Sequence, residues 1–324
     1  MEGRAIILGI LAVSILQLCG CAWQTDEPLR QVRVGLSWKH SAQYAGYYTA
    51  DQNGYYKSQG LNVSFKPYAN EDLVAELVNG KYDFVFLQTD NLLQARVKGL
   101  PVKAIFADYR ILPTVYYSKK EKNIQKPGDF VGKTVGIDPT ESYAFLAMLN
   151  NAGVNASLVT ITKRGYTYDL LANDEYDVQG GWVTDADSVR ALCGEFNAIS
   201  PYDYGANWYA DLLVVKEDTI RSQPELIKAF ILGTEQGWQY AIEHVHEAAL
   251  FAQRYEDGLD PTHLEFALQA SVPLIQTGDS YIGWMDNTTF ALAQGTFLKQ
   301  GILSSEVDIQ QAFTNEFIES IYEK

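Results

Sequence analysis

Four aromatic or polar side chains come just after short apolar runs that predict β-strands. They are Trp38, Gln88, Asp90 and Tyr109. Ligands of open α/β sheets bind outside the carboxyl ends of the strands. Rings offer stacking surfaces and the polar groups offer hydrogen bonds, so this combination predicts binding of a small planar ring system. For Gln88 and Asp90, a role in starting the following helix is the alternative.

Four more residues are expected at the same cleft. Gln43 and Tyr47 are four residues apart and therefore share one face of a predicted helix. Trp182 ends another apolar run and Thr184 follows it. Trp182 is a candidate for a second stacking surface. A tryptophan packed in the protein core is the alternative for Trp182.

A turn at residues 138–143 joins a predicted strand to a predicted helix and carries Glu141, Ser142 and Tyr143. The free amide groups at a helix start ordinarily favour an anion. A carboxylate at Glu141 already occupies that positive end and opposes a bound nitrate or sulfonate. We therefore expect Glu141 to accept hydrogen bonds from ligand N–H groups, with a solvent-facing capping role as the alternative. Arg110 is the one basic residue that we expect at a strand end.

The composition argues against several other functions. The chain has 324 residues with 40 acidic and 25 basic side chains, a net charge of −15, whereas nucleic-acid phosphates require clustered Lys and Arg. Cys193 is the single cysteine of the body, and the four histidines are scattered, so we expect no metal site and no cofactor. The aromatic content of 13% fits either a packed core or a stacking pocket.

The first residues have the pattern of a secretion signal. The apolar run at 5–18 is too short to span a hydrocarbon core of ~30 Å but fits the central region of a signal peptide. It ends in Leu-Cys-Gly-Cys, which resembles the bacterial lipoprotein box. The resemblance implies cleavage before Cys21 and lipidation of its thiol, so that 1–20 is the signal peptide and 21–30 a tether. An ordinary signal peptide with an incidental cysteine is the alternative.

After residue 30, apolar runs of strand length alternate with helical patterns. This alternation predicts βαβ units and parallel sheets. We predict an α/β fold with two lobes, in which residues 31–115 and 213–324 form the first lobe and 116–212 the second. Two strands cross between the lobes, and a ligand cleft between the lobes would use these crossings as a hinge.

Characteristic segments run through the body in order: QYAGYYTA at 43–50, NGKYDF at 79–84, PGDFVGKTVG at 127–136, DYG at 203–205 and GWMD at 283–286. They resemble the ABC-transporter solute-binding proteins related to thiamine-pyrimidine synthesis proteins. The resemblance implies a two-lobed periplasmic-binding-protein fold of type II. Members bind formylaminopyrimidine, riboflavin-like compounds, aliphatic sulfonates or nitrate. Around the DYG segment, Tyr204, Trp208 and Asp211 are further candidate ligand contacts.

We therefore expect a periplasmic or cell-surface lipoprotein of an ABC importer, a monomer that binds a small molecule and passes it to permease subunits. The first ligand candidate is a thiamine pyrimidine precursor such as formylaminopyrimidine, followed by a flavin and then by an aliphatic sulfonate or nitrate. Two other classes stay open, a ligand-sensing lipoprotein and, less favoured, a pyrimidine synthase. The partners expected are the ligand, the permease and the membrane through the Cys21 anchor, without nucleic acid.

Overall fold

The structure, a computed structural model, describes residues 28–139, 141–278 and 280–322. The predicted signal peptide, Cys21 and most of the predicted tether lie outside these residues. Across the described ranges, no helix has both the length and the apolar character that crossing a membrane requires.

The strands form two separate sheets. In chain order they are β1 (Arg30–Gly35), β2 (Leu61–Lys66), β3 (Phe84–Leu87), β4 (Val102–Tyr109), β5 (Thr114–Lys119), β6 (Thr134–Ile137), β7 (Thr160–Lys163), β8 (Val178–Trp182), β9 (Phe196–Ile199) and β10 (Ala210–Lys216). One sheet has the order β2-β1-β3-β10-β4 and the other β7-β6-β8-β5-β9. We call the parts of the chain built on them lobe 1 and lobe 2.

Helices cover these sheets and fill the C-terminal third of the chain. They are α1 (Ala45–Gln52), α2 (Tyr55–Ser58), α3 (Leu73–Val78), α4 (Thr89–Val97), α5 (Ser142–Asn151), α6 (Asp169–Ala172), α7 (Ala186–Cys193), α8 (Glu217–Ser222), α9 (Pro224–Glu243), α10 (Val245–Gln253), α11 (Pro261–Ile275), α12 (Asn287–Lys299) and α13 (Glu316–Tyr322).

The predicted α/β fold is confirmed, and each sheet contains one strand that runs against its neighbours. In lobe 1, β1 pairs in parallel with β2 and β3, whereas β10 is antiparallel to β3 and β4. In lobe 2, β6 is parallel to β7 and β8, whereas β5 is antiparallel to β8 and β9. The chain enters lobe 2 between β4 and β5 and returns between β9 and β10. The predicted boundaries at 115/116 and 212/213 therefore fall inside strands.

The antiparallel strands matter for the cleft because they reverse which end of a strand faces it. The starts of β5 and β10 lie at the same sheet edge as the carboxyl ends of the strands beside them, β8 and β3 respectively. Residues at these starts, such as Asp211 in β10, therefore join the residues that follow β1 and β3.

Lobe 1 depends on a close contact between α1 and α9. Gly46 of α1 lies against the ring of Trp238, and Gly237 of α9 lies against the Gly46 carbonyl oxygen. A Cβ at either glycine would come within 2.1 Å of these atoms. The absence of side chains lets the helices approach, and Trp238 is fully buried as a result.

We expect Gly237→Ala to lower the free energy of unfolding by about 1–3 kcal/mol, because the added methyl group overpacks a backbone contact. Gly295→Ala in α12 is the control, since nothing lies within 4 Å of a Cβ there. That change should raise stability by about 0.5–1 kcal/mol through helix propensity. Urea unfolding measures both, and equal effects would contradict a special role for the α1–α9 contact.

Candidate functional site

Two aromatic pairs join the lobes at the facing sheet edges. The ring centroids of Trp38, after β1, and Tyr166, after β7, are 5.5 Å apart. Those of Tyr109, at the end of β4, and Trp182, at the end of β8, are 5.7 Å apart in an edge-to-face arrangement. Trp38 and Tyr166 are exposed, by 39% and 71%, whereas Tyr109 is buried. Each pair takes one ring from each lobe, so both pairs are contacts between the lobes.

The carboxylate of Asp211 organises the lobe 1 edge. Its oxygens accept hydrogen bonds from Ser37 Oγ (2.9 Å), Gln43 Nε2 (2.6 Å) and Gln88 Nε2 (3.1 Å). Asp211 is fully buried, and burial raises its pKa from 3.8 to about 6 even though the three donors oppose that change. Its backbone is left-handed, with φ of 55°, a conformation that Asp and Asn tolerate better than most residues.

Asp90, in α4 of lobe 1, lies near enough to Tyr143, in α5 of lobe 2, for its charge to act on the Tyr143 hydroxyl. Burial raises its pKa to about 6. Burial and the Asp90 carboxylate raise the pKa of the Tyr143 hydroxyl. The Tyr143 carbonyl oxygen accepts a hydrogen bond from Gln300 Nε2 of lobe 1 (3.0 Å). These contacts give the cleft a third junction between the lobes.

Glu141 does not have the open carboxylate that the sequence suggested. It is buried and paired with Arg164, whose Nε donates to Oε2 at 2.9 Å and whose second guanidinium nitrogen donates to Oε1. The Asp138 amide also donates to Oε2 (2.9 Å). Both carboxylate oxygens are thus occupied by protein groups, and Glu141 positions Arg164.

The expectation that Arg110 is the one basic residue at a strand end is wrong, because Arg164 directly follows β7 and adds a second cation there. Burial opposes its charged form, but the hydrogen bonds and charge of Glu141 outweigh burial and raise its pKa. Arg110, the strand-end cation that we expected, donates from Nε to the Trp284 carbonyl oxygen (3.2 Å).

Two glycines in β8 make room for this arrangement. A Cβ on Gly180 would lie 2.5 Å from Glu141 Oε2, and a Cβ on Gly181 would lie 2.0 Å from the Tyr168 hydroxyl. That hydroxyl donates to Asp185 (2.6 Å), and the Trp182 amide donates to the same carboxylate at 3.2 Å. Sequence reasoning missed Arg164, Tyr168 and Asp185, for which the paired glycines inside a strand were the available signal.

Three predicted contacts lie in packed regions. Tyr47 is fully buried in the core of lobe 1, where its hydroxyl donates to Asp108 (2.9 Å). Trp208 is 5% exposed and packs on Phe297 of α12 with centroids 4.9 Å apart. Tyr204 packs against the hydrophobic core of lobe 2. The geometry therefore removes these three rings from the proposed ligand surface.

The remaining predicted residues make local contacts at the edge. Ser142 Oγ donates to the Pro139 carbonyl oxygen, and Thr184 Oγ1 lies 3.5 Å from the Asp185 carboxylate. Both side chains are partly exposed. Within the described ranges, no three or more His, Cys, Asp or Glu side chains are grouped so that they could hold a metal ion.

A family model described as NMT1/THI5 like matches residues 41–248, which is more than half of the chain. The chain belongs to this family of solute-binding proteins. The match includes α1, the whole of lobe 2, and Gln43, Gln88 and Asp211. The resemblance noted from the sequence is thereby confirmed.

Two relatives and one solved structure are similar to this chain over most of its length. The riboflavin-binding protein RibY of Chloroflexus aurantiacus is 28% identical over 98% of both chains. The formylaminopyrimidine-binding protein of Halalkalibacterium halodurans is 25% identical over 82% of this chain and 80% of its own length. The periplasmic aliphatic sulphonate binding protein SsuA of Escherichia coli has a TM-score of 0.71 and 14% identity, covering 87% of this chain and 91% of that one, and supports the type II fold.

Glu141→Gln should lower the free energy of unfolding by about 3 kcal/mol, because it leaves the buried Arg164 charge without a counter-ion. Glu225→Gln removes the carboxylate of an exposed ion pair with Lys228 and should cost less than about 1 kcal/mol. Urea unfolding compares the two variants. Equal small losses would contradict the structural importance of the Glu141–Arg164 pair.

The raised pKa of Asp211 predicts how stability depends on pH. Between pH 7 and 5 the native carboxyl takes up a proton that the unfolded chain does not, so its contribution is present at low pH and disappears as pH rises through about 6. Asp211→Asn should flatten the pH dependence of the free energy of unfolding in this window by about 1.4 kcal/mol. Asp174→Asn, at an exposed aspartate with φ of 63°, is the control. Parallel profiles for Asp211→Asn and the unsubstituted protein would contradict the prediction.

Proposed function

We propose that this protein binds a planar heteroaromatic solute between its lobes and delivers it to the permease of an ABC importer. The observation that carries the proposal is the pair of aromatic contacts, Trp38 with Tyr166 and Tyr109 with Trp182, each with one ring from each lobe. Separation of the exposed pair by lobe opening would offer two faces to a flat ring. Each aromatic contact is worth about 0.5–1.5 kcal/mol beyond the burial of area.

Charge supports a neutral ligand with N–H groups over an inorganic or sulfonate anion. Three carboxylates, Asp90, Asp185 and Asp211, lie at or just beneath the cleft edges, whereas the Arg164 charge is balanced by Glu141. A bound anion would be repelled by the carboxylates and would compete with Glu141 for Arg164. Sulfonate and nitrate therefore remain the least favoured ligands.

Riboflavin is the first ligand to test, and a formylaminopyrimidine-type pyrimidine is the second. The relative named for riboflavin aligns with nearly the full length of both chains, and the one named for formylaminopyrimidine aligns with four fifths of each. The order of these two ligands is thus the reverse of the order suggested by the sequence. The aromatic pairs suit both ring systems.

Delivery to a permease places the protein outside the cytoplasmic membrane, and the Cys21 lipid anchor remains part of the proposal. Closure of the lobes around the ligand would create the surface that the permease binds. Closure follows only if the ligand binds the closed state more tightly than the open one. The function proposed is binding, because the cleft edges offer aromatic faces and hydrogen-bonded amides.

We expect riboflavin to bind with micromolar or lower Kd, and taurine and nitrate not to compete. Trp38→Ala and Tyr166→Ala should each weaken binding by about 3–10-fold through loss of a stacking face. Tyr202→Ala, at another exposed tyrosine of lobe 2, should leave Kd unchanged. Quenching of flavin fluorescence reports binding of riboflavin, and calorimetry reports the pyrimidine.

The proposal has two ways to fail. Tight binding of taurine or nitrate with both heteroaromatic compounds inert would overturn the ligand class. Unchanged affinity in Trp38→Ala and Tyr166→Ala, with riboflavin bound by the unsubstituted protein, would overturn the assignment of the stacking surface.

A further inference from the structure

The amide groups of Gln43 and Gln88 both point their nitrogen atoms at one carboxylate. Gln43 Nε2 lies 2.6 Å from Asp211 Oδ2, and Gln88 Nε2 lies 3.1 Å from Asp211 Oδ1. An ionised carboxylate can only accept hydrogen bonds, so each amide must turn its NH₂ group, and not its oxygen, towards Asp211. The charge of Asp211 therefore fixes which way both amides face.

This orientation leaves the amide oxygens facing away from Asp211. Gln43 Nε2 also donates to the Tyr44 hydroxyl (3.1 Å), which uses both hydrogens of that amide. Within the part of the chain that the structure describes, no group donates to Oε1 of Gln43 or Gln88. Neither oxygen is fully buried, so each remains accessible. Both oxygens can therefore accept hydrogen bonds from a molecule in the cleft.

The location of these oxygens relates them to the stacking surface. Ser37, the third donor to Asp211, is the residue directly before Trp38. Gln88 directly precedes α4, and Asp90 is the second residue of that helix. The segment that carries Trp38 therefore also donates to the carboxylate that holds the two amides. A heterocycle that stacks on Trp38 would present its edge to this part of lobe 1.

We infer that Gln43 and Gln88, held by Asp211, form an acceptor pair that selects a ligand edge carrying N–H donors. The inference rests on the proposed function and specifies its ligand class, namely heterocycles with an exocyclic amino group or an imide N–H. An amino group can satisfy both oxygens, and an imide N–H can satisfy one or be shared. Asp211 is a positioning residue here, since it acts through the two amides.

The test compares ligands that differ only at the donor. The first probes are 4-amino-5-hydroxymethyl-2-methylpyrimidine and its analogue with methyl in place of the amino group, a change of nearly equal size. The second probes are riboflavin and 3-methylriboflavin. The unsubstituted protein should prefer the N–H member of the pair that it binds by about 10-fold, the value of one good hydrogen bond.

Asp211→Asn and Gln88→Leu should reduce this preference to about 2-fold, while their melting temperatures show that both remain folded. Asn suits the left-handed backbone of residue 211, so the substitution tests the charge and not the fold. Gln94→Leu, at a partly exposed glutamine further along α4, is the control and should retain the preference. In the double variant the two changes should not add, because they remove the same interaction.

The outcomes separate this inference from the proposed function. If the unsubstituted protein binds a heteroaromatic probe and Asp211→Asn and Gln88→Leu keep the full preference for N–H, the acceptor pair is overturned and the proposed function stands. If the unsubstituted protein binds none of the four probes, the proposed function fails and the inference with it. A purely structural role for Asp211 would lower the affinity for both members of a pair equally, which also overturns the inference.

Discussion

Among the residues that the structure describes, no cation pairs with the buried Asp211 carboxylate, and the cleft edge of lobe 1 is arranged around the hydrogen bonds that stabilise it. A buried charge without partners costs several kcal/mol, and three donors offset this cost at Asp211. They come from the segments after β1 and β3, whereas Asp211 itself lies in β10. One side chain thereby links three neighbouring strands at the edge where a ligand would bind. The same bonds hold the two glutamine amides in one orientation.

In lobe 2, an ion pair stabilises the buried carboxylate at the cleft edge. Glu141 follows β6 and Arg164 follows β7, and parallel pairing of these strands brings their ends together. The pair needs space above β8, which Gly180 provides. Because the two charges balance each other, the edge is polar without attracting an anion. The two lobes thus present different surfaces, a carboxylate with amides on one side and a neutralised ion pair on the other.

The aromatic pairs connect these two edges. Tyr109 and Trp182 meet close to the crossings between the lobes, whereas Trp38 and Tyr166 meet at an exposed part of the cleft. A hinge motion moves groups near the crossings least and groups far from them most. The exposed pair is therefore the one that a ligand would separate, while the buried pair would guide the motion.

The sequence by itself determined the α/β architecture, the family and the strand ends where Trp38 lies, because periodicity and local motifs depend only on neighbouring residues. Only the tertiary structure decided which side chains reach the cleft. Tyr47 was expected to share a face with Gln43, but a 3₁₀ turn at 42–44 precedes α1 and breaks the helical spacing, so Tyr47 faces the core. Glu141 is paired with a residue 23 positions away, a contact set by strand pairing and invisible to local patterns. Long-range packing thus determines which side chains reach the cleft, because burial and charge pairing depend on neighbours in space.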